Sequence, residues 1–395
     1  MKSTRLTKIT AAIIVAAMLA TALCSCGSQV ALTLNGDNGV TYTASKSLVD
    51  FIMVYVKQNT FISNGWHSGY DIESIWTQKY DGDTTFDQYL TSNAVSQLRS
   101  MLVEEYLFDK YSLTIDPANL AKLKEQKKSL EAQGRGAYKQ YYGFTTDQLY
   151  EYLLIVEKSG AVNEYLYGEN GTDKVNDSDK ETYYTENFKG YQYIMFDMNN
   201  KVVVDEDGNK VRTTTTDKDG NTTENDEYKT EKMTDEEKDD KAILPDTVLQ
   251  QIKAGGDFAE LAEKYSDSYL SVKYKEGVFV TSSILTEASA KEKVDALEIG
   301  DVSDVITVGD GEYSYIVKRV PLIEKVYDEE THPEYAELFE NYTENVQDEK
   351  YSKLIEKYID SVTMDEEIIN TLSMQKTYLS KSVNYAYQQS YYSNN

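Results

Sequence analysis

Cysteine is nearly absent from this chain. Of 395 residues only Cys24 and Cys26 are cysteines. From residue 27 onward the sequence therefore has no disulfide, no thiolate nucleophile and no cysteine-ligated zinc, and its stability rests on packing alone. Histidine occurs only at His67 and His332. Neither has a partner near in sequence, so a histidine metal site or triad has no support and both read as surface or loop residues. Basic residues are few: 40 Lys and Arg stand against 67 Asp and Glu, a net charge of −27. A surface this acidic repels phosphate backbones, which excludes nucleic acid as a partner, and it favours cationic clients. Neither a phosphate-binding glycine loop nor a nucleophile elbow appears. No cofactor and no metal is implied.

What is present begins with a signal. Lys2, Arg5 and Lys8 precede an uncharged apolar stretch over residues 9–23, too short to span a bilayer comfortably. It ends in Leu23-Cys24-Ser25-Cys26, an order that resembles the lipobox of bacterial lipoproteins. That likeness implies cleavage before Cys26 and a diacylglyceryl group on its thiol. Cys24 fits worse, because Leu23 would occupy the position that needs a small residue. Removal of residues 1–25 takes three basic residues and no acid, so the charge moves from −27 to about −30. The expected location is the outer face of a bacterial cell membrane, with the lipid as anchor.

The remaining stretch of about 370 residues is long enough for two or three domains. A tether and first strand take residues 26–36. Leu48, Phe51, Ile52, Tyr55 and Val56 recur at helical spacing behind Ser45 or Ser47 as N-cap. Residues 59–85 read as loop. Further helices carry Ala94, Leu98, Leu102, Tyr106 and Leu107, then Leu120, Leu123 and Leu130 behind Pro117, then Leu149, Leu153, Val156 and Val162 behind Thr146. These stripes read as a helical core rather than as a groove for apolar clients. Residues 205–241 are almost entirely charged, Thr, Asn or Gly. Asp205-Glu206-Asp207-Gly208 and Asp217-Lys218-Asp219-Gly220 place glycine at position 4, whereas a calcium loop needs it at 6. The segment is expected to be a solvated, partly disordered hairpin insertion outside the core. Residues 244–320 mix α and β patterns. Helix returns after Pro333 with Leu338, Tyr342 and Val346, then Tyr351, Leu354, Tyr358 and Ile359, and the tail from Thr377 reads as loose. Ser373-Met374-Gln375-Lys376 has the Ser-x-x-Lys spacing of penicillin-binding enzymes, but no Lys-Thr-Gly or Ser-Asp-Asn follows it.

Three segments carry a family likeness. One runs from Asp246 through Gly255-Gly256-Asp257-Phe258-Ala259 and Leu261-Ala262 to Tyr265-Ser266. The second is Ala296-Leu297-Glu298-Ile299-Gly300-Asp301-Val302-Ser303. The third is Ile316-Val317-Lys318-Arg319-Val320. Together they resemble the parvulin domain of peptidyl-prolyl isomerases, with Tyr191-Gln192-Tyr193-Ile194-Met195-Phe196 as its opening strand. Upstream, residues 175–187 are similar to the helix leading into that domain in foldases of the SurA and PrsA type.

The resemblance implies an α+β fold. A helical chaperone domain would be built from residues 37–187 and from C-terminal helices at 330–376. A parvulin-like domain would span 188–323, and a loose tail 377–395. It also implies unfolded or nascent secreted proteins as partners, and it leaves a homodimer open. A solute-binding lipoprotein of a transporter is the competing class. That class needs strand–helix alternation in two lobes, which the helical N-terminal third does not show.

At the implied active site this sequence departs from the family. The two histidine positions, one on the opening and one on the closing strand, carry Tyr193 and Tyr315. The Cys or Asp position falls on Ser268, or on Asp267 with a one-residue slip. The Gly-Gly-x-Leu-Gly strand is reduced to Glu276-Gly277-Val278-Phe279. Leu285 or Ile284 takes the Met or Leu position of the proline pocket, and Ala288 or Ser289 stands where a Phe ring belongs. The expectation is a site with eroded catalysis in which the two tyrosines pack as core residues. The alternative is an active isomerase in which they form a rebuilt hydrogen-bonding pair.

Overall fold

The computed structural model describes residues 30–132 and 134–393. The expected signal and Cys26, the expected site of lipidation, lie outside the described residues. The fold is α+β, as the family resemblance implies, and it divides into two compact units. The first unit takes the chain up to Lys174 and again from Gln347; the second is Val175–Val346.

In the first unit the strand Val30–Asn35 lies between Thr41–Ser45 and Val362–Met364, antiparallel to both. The tight connection after Asn35 closes through Gly39, whose φ of +77° suits a residue without a Cβ. Three helices then follow the apolar periodicity. Lys46–Ser63 is capped by the Ser45 hydroxyl, which accepts from the Leu48 amide. Phe86–Lys110 and Thr146–Tyr167 each start on a capping box, Thr85 with Gln88 and Thr145 with Gln148. Phe51, Ile52, Leu98, Leu102, Leu107 and Val162 form the centre of the resulting core.

Val156 was expected in that stripe but is 46 % exposed; Ile155, Val162 and Leu166 are among the buried residues of its helix. Residues 59–85, expected as loop, contain a helix at Glu73–Thr77 and a small hairpin, and they bury Trp76.

The tail is a correction. It was read as loose because it is polar, yet it forms the helix Ser382–Ser393 with Val383 and Ser380 buried at its start. Hydrogen bonds replace apolar burial as the anchor here: the Ser380 hydroxyl donates to the Tyr141 carbonyl. Lys57, fully buried, donates to the Gln375 and Thr377 carbonyls. Its charge is matched by Asp71 at 2.9 Å and lies 4.7 Å from the centre of the Trp76 ring.

The second unit is built on a four-stranded antiparallel sheet in the order Val278–Val280, Lys189–Asp197, Tyr313–Val320, Ile306–Val308. Side chains alternate across it. Ile194, Phe196 and Ile316 meet the helices Leu244–Lys253 and Phe258–Tyr265 through Val248, Leu249, Phe258 and Ala262. Tyr191 and Val317 point to the opposite face and join Leu285, Ala290 and Val294.

Two boundaries differ from the expected ones. The helix Asp177–Asn187 was assigned to the helical domain but belongs to the second unit, where it buries Tyr184. The C-terminal segment expected to begin the helical domain at residue 330 contributes Tyr335, Phe339, Tyr342 and Val346 to the second core, and only Gln347 onward returns to the first unit. Aromatic residues decide this division. Tyr184, Phe188, Tyr327, Phe339 and Tyr342 pack ring against ring.

The acidic insertion is also more built than its composition suggests. It holds the hairpin Arg212–Thr216 with Thr222–Tyr228 and the helix Asp235–Ala242, which starts on a capping box of Thr234 and Glu237. Asp205 and Asp217 act as turn formers, each accepting backbone N–H groups two and four residues on. The segment attaches to its unit by charge: Lys241 to Asp267 at 2.7 Å and Asp226 to Lys273 at 2.7 Å. Lys210 adds hydrogen bonds to the Glu263 and Ser266 carbonyls at 2.8 Å.

Candidate active site

The opening strand Lys189–Asp197 and the closing strand Tyr313–Val320 pair with Tyr193 opposite Val317 and Met195 opposite Tyr315. This register sets Tyr193 and Tyr315 on one face as diagonal neighbours, with ring centroids 6.3 Å apart. The sheet thus brings together the two residues that the sequence placed at the histidine positions.

The turn after the helix Phe258–Tyr265 runs beside the opening strand and fixes it at three points. The Met195 amide donates to the Ser266 hydroxyl at 3.1 Å, and the Asp267 amide donates to the Met195 carbonyl at 2.8 Å. The Asp197 amide donates to the Asp267 carboxylate at 2.8 Å. Ser268 follows, and its hydroxyl lies 2.9 Å from that of Tyr193.

Ser268 and Asp267 have different partners here. Ser268 shares the face of Tyr193, whereas the Asp267 carboxylate is held by the Asp197 amide and Lys241. Burial pushes that carboxyl above its usual range, against the opposing effect of Lys241 and the amide. Ser266 was missed as a positioning residue. It is fully buried, and the Ser271 hydroxyl also reaches it, at 2.7 Å. The Tyr265-Ser266 pair in the family signature was the available signal.

Leu285 is buried in the core against which Tyr193, Tyr315 and Ile284 pack. The helix Ala288–Asp295 exposes Ala288 and Ser289, and it turns Ala290 inward instead. The expected ring position therefore shifts by one or two residues, but alanine is all it offers. The helix carries no aromatic residue.

Both tyrosines keep their protons at neutral pH. Burial pushes the Tyr193 phenol up, partly offset by the Ser268 hydrogen bond. Burial pushes Tyr315 up to about 12, with Tyr193, Tyr313 and Asp197 adding to it. The face can thus donate hydrogen bonds to a carbonyl. The histidines have other partners: His67 accepts from the Gly69 amide, and His332 faces Glu334. Ser373 is likewise structural, its hydroxyl donating to Asp87.

Residues 227–316 match the family described as Rotamase: PPIC-type PPIASE domain. The match takes in Ser268, Leu285 and Tyr315; Tyr193 precedes it, because the insertion separates the opening strand from the rest. No curated protein matches the sequence. Among solved structures, PrsA from Bacillus subtilis is similar at 19 % identity and a TM-score of 0.24, over 68 % of this chain and 85 % of that one. The foldase PrsA from Streptococcus pneumoniae is similar at 17 % identity and a TM-score of 0.21, over 72 % and 92 %. The peptidylprolyl isomerase PrsA from Bacillus cereus gives 17 % and 0.23, over 78 % and 88 %. Sheet order, signature helix and family match together place a PPIC-type domain in the second unit of this chain.

Proposed function

We propose that the chain is a membrane-anchored, extracytoplasmic foldase of the PrsA type, which holds unfolded exported proteins and whose parvulin domain isomerises proline weakly or not at all. The observation that carries this reading is the Tyr193–Ser268 contact at 2.9 Å, together with a helix, Ala288–Asp295, that carries no aromatic residue. Rotation about a prolyl bond needs no covalent chemistry. The site must grip the ring and favour the twisted amide over a barrier of about 18–20 kcal/mol. Here one hydroxyl is engaged internally and the ring wall is missing. Cys26 supplies the anchor in this reading, and two acyl chains on one cysteine are enough for stable attachment.

A second reading, an active isomerase, is favoured by one feature. Tyr193 and Tyr315 remain neutral donors on the same face, and tyrosine both donates and accepts. Proline-isomerisation and aggregation-suppression assays on the same protein separate the two. The first reading expects isomerisation near the uncatalysed rate together with clear protection of an aggregating client. Strong isomerisation favours the second.

A further inference from the structure

The second unit contains a cavity of about 670 Å³ whose lining includes neither Tyr193 nor Tyr315. Its size is that of a site for a side chain or small molecule. Its apolar part is aromatic: Tyr327 stacks on Tyr342 with centroids 4.6 Å apart, and Phe339 lies 5.4 Å from Tyr342. The Tyr342 hydroxyl is used, donating to the Lys180 carbonyl. The Tyr327 hydroxyl is buried and makes no hydrogen bond to any described residue. An unpaired buried hydroxyl costs stability unless a ligand satisfies it.

The charge of the lining is lopsided. Asp177, Asp328, Glu329 and Glu340 face Lys180 and Lys325, while the further carboxylate Glu337 is already paired with Lys273. The negative field reaches the aromatic floor: after burial itself, Glu181, Asp177, Asp328 and Glu324 each make the Tyr327 phenol harder to ionise. An anionic ligand is repelled here. A metal ion is not favoured either, since no three carboxylates or histidines converge to hold one among the described residues. The chemistry that suits all these features is a guanidinium. It is planar and stacks on tyrosine, pairs with carboxylates, and has N–H groups to spare for an unpaired hydroxyl.

We propose that this cavity binds arginine side chains presented by basic segments of unfolded polypeptide, at a place separate from the Tyr193–Tyr315 face. The proposal rests on the reading of the chain as a holder of unfolded proteins and adds the side chain that it selects. The test is fluorescence anisotropy with the full chain and a labelled, unstructured Gly/Ser peptide carrying several arginines, beside the same peptide with glutamine in their place. The glutamine peptide should bind at least about tenfold more weakly.

Asp328→Asn with Glu340→Gln should weaken the arginine peptide about fivefold or more. Glu125→Gln with Glu206→Gln, two exposed positions outside the cavity that remove the same charge, should change it less than about twofold. Equal weakening by both pairs would mean that overall charge alone holds the peptide, and would overturn the proposal. So would equal binding of the two peptides. Thermal melts of both double variants establish that each is folded. Client protection measured on the same samples keeps the two readings apart. If protection persists while the cavity variants bind normally, only the arginine site falls. If the wild type protects no client and binds neither peptide, the foldase reading falls with it.

Discussion

The hydroxyl of Tyr193 on the opening strand and that of Ser268, 75 positions later in the chain, lie 2.9 Å apart. This bond ties the central strand to the turn that follows the signature helix, next to the bonds of Ser266 and Asp267 to the same strand. Tyr193→Phe and Ser268→Ala should each lower stability by about 1 kcal/mol. The double variant should cost little more than either single one, because both remove the same contact. Chemical denaturation of the three variants measures this, and additive losses would show that the two hydroxyls act independently.

The insertion should contribute to stability. Lys241 and Asp267 form an ion pair with side-chain exposures of 13 % and 7 %. Removal of one partner leaves the other buried and unmatched, which costs more than the pair itself contributes. Lys241→Met should therefore destabilise the protein by roughly 2 kcal/mol or more, and Asp267→Asn in the same chain should restore part of the loss. Replacement of residues 205–241 by a short Gly/Ser linker should lower Tm for the same reason. An unchanged Tm on replacement would mean that these ion pairs contribute nothing.

The first unit should weaken as the solution turns from acid to neutral. Burial raises the Glu104 carboxyl to about 7; neighbouring Glu105 adds to this and the Ser159 hydroxyl opposes it. The folded state then holds a proton that the unfolded state releases near its ordinary value of 4.5. Its favourable contribution is fully present below pH 4.5 and is lost as pH rises through about 7. Glu104→Gln, which cannot ionise, should match the wild type at pH 5 and exceed it by roughly 1–3 kcal/mol at pH 8. Denaturation at the two pH values decides it, and a difference independent of pH would rule out Glu104 as the source.

The proposed lipid anchor assigns different fates to Cys24 and Cys26. Cys26→Ser should release the protein from membranes or stall its processing, whereas Cys24→Ser should change little. Membrane fractionation and the mass of the processed chain are the measurements. A membrane-bound and normally processed Cys26→Ser protein would contradict the lipoprotein assignment.

Local signals accounted for much of the fold. Apolar spacing located the helices around Phe51, Leu98 and Val162. The family likeness located both central strands, at 191–196 and 316–320, and with them both tyrosines. Contacts between residues far apart in sequence left no such signal. Lys57 looks like one more surface lysine in a helical stripe until Asp71, Trp76 and the carbonyls of Gln375 and Thr377 surround it. The acidic insertion reads as solvated because its attachments are ion pairs, Asp226 with Lys273 and Lys241 with Asp267, rather than apolar positions at a fixed period. Membership of Tyr184 in the second core depends on the rings of Phe188, Tyr327 and Phe339, and no spacing within 177–187 encodes it.

The most direct test of the central claim is the rate of prolyl isomerisation, measured on a proline peptide with the wild type, Tyr193→Phe and Tyr315→Phe, beside suppression of client aggregation by the same three proteins. Each lost contact of the family's kind removes transition-state stabilisation, enough to lower the rate by roughly 10² or more. The account predicts isomerisation near the uncatalysed rate for all three proteins and undiminished protection of the client. Strong catalysis by the wild type that either substitution cuts about tenfold would contradict it, and would show that Tyr193 and Tyr315 carry out the histidines' task.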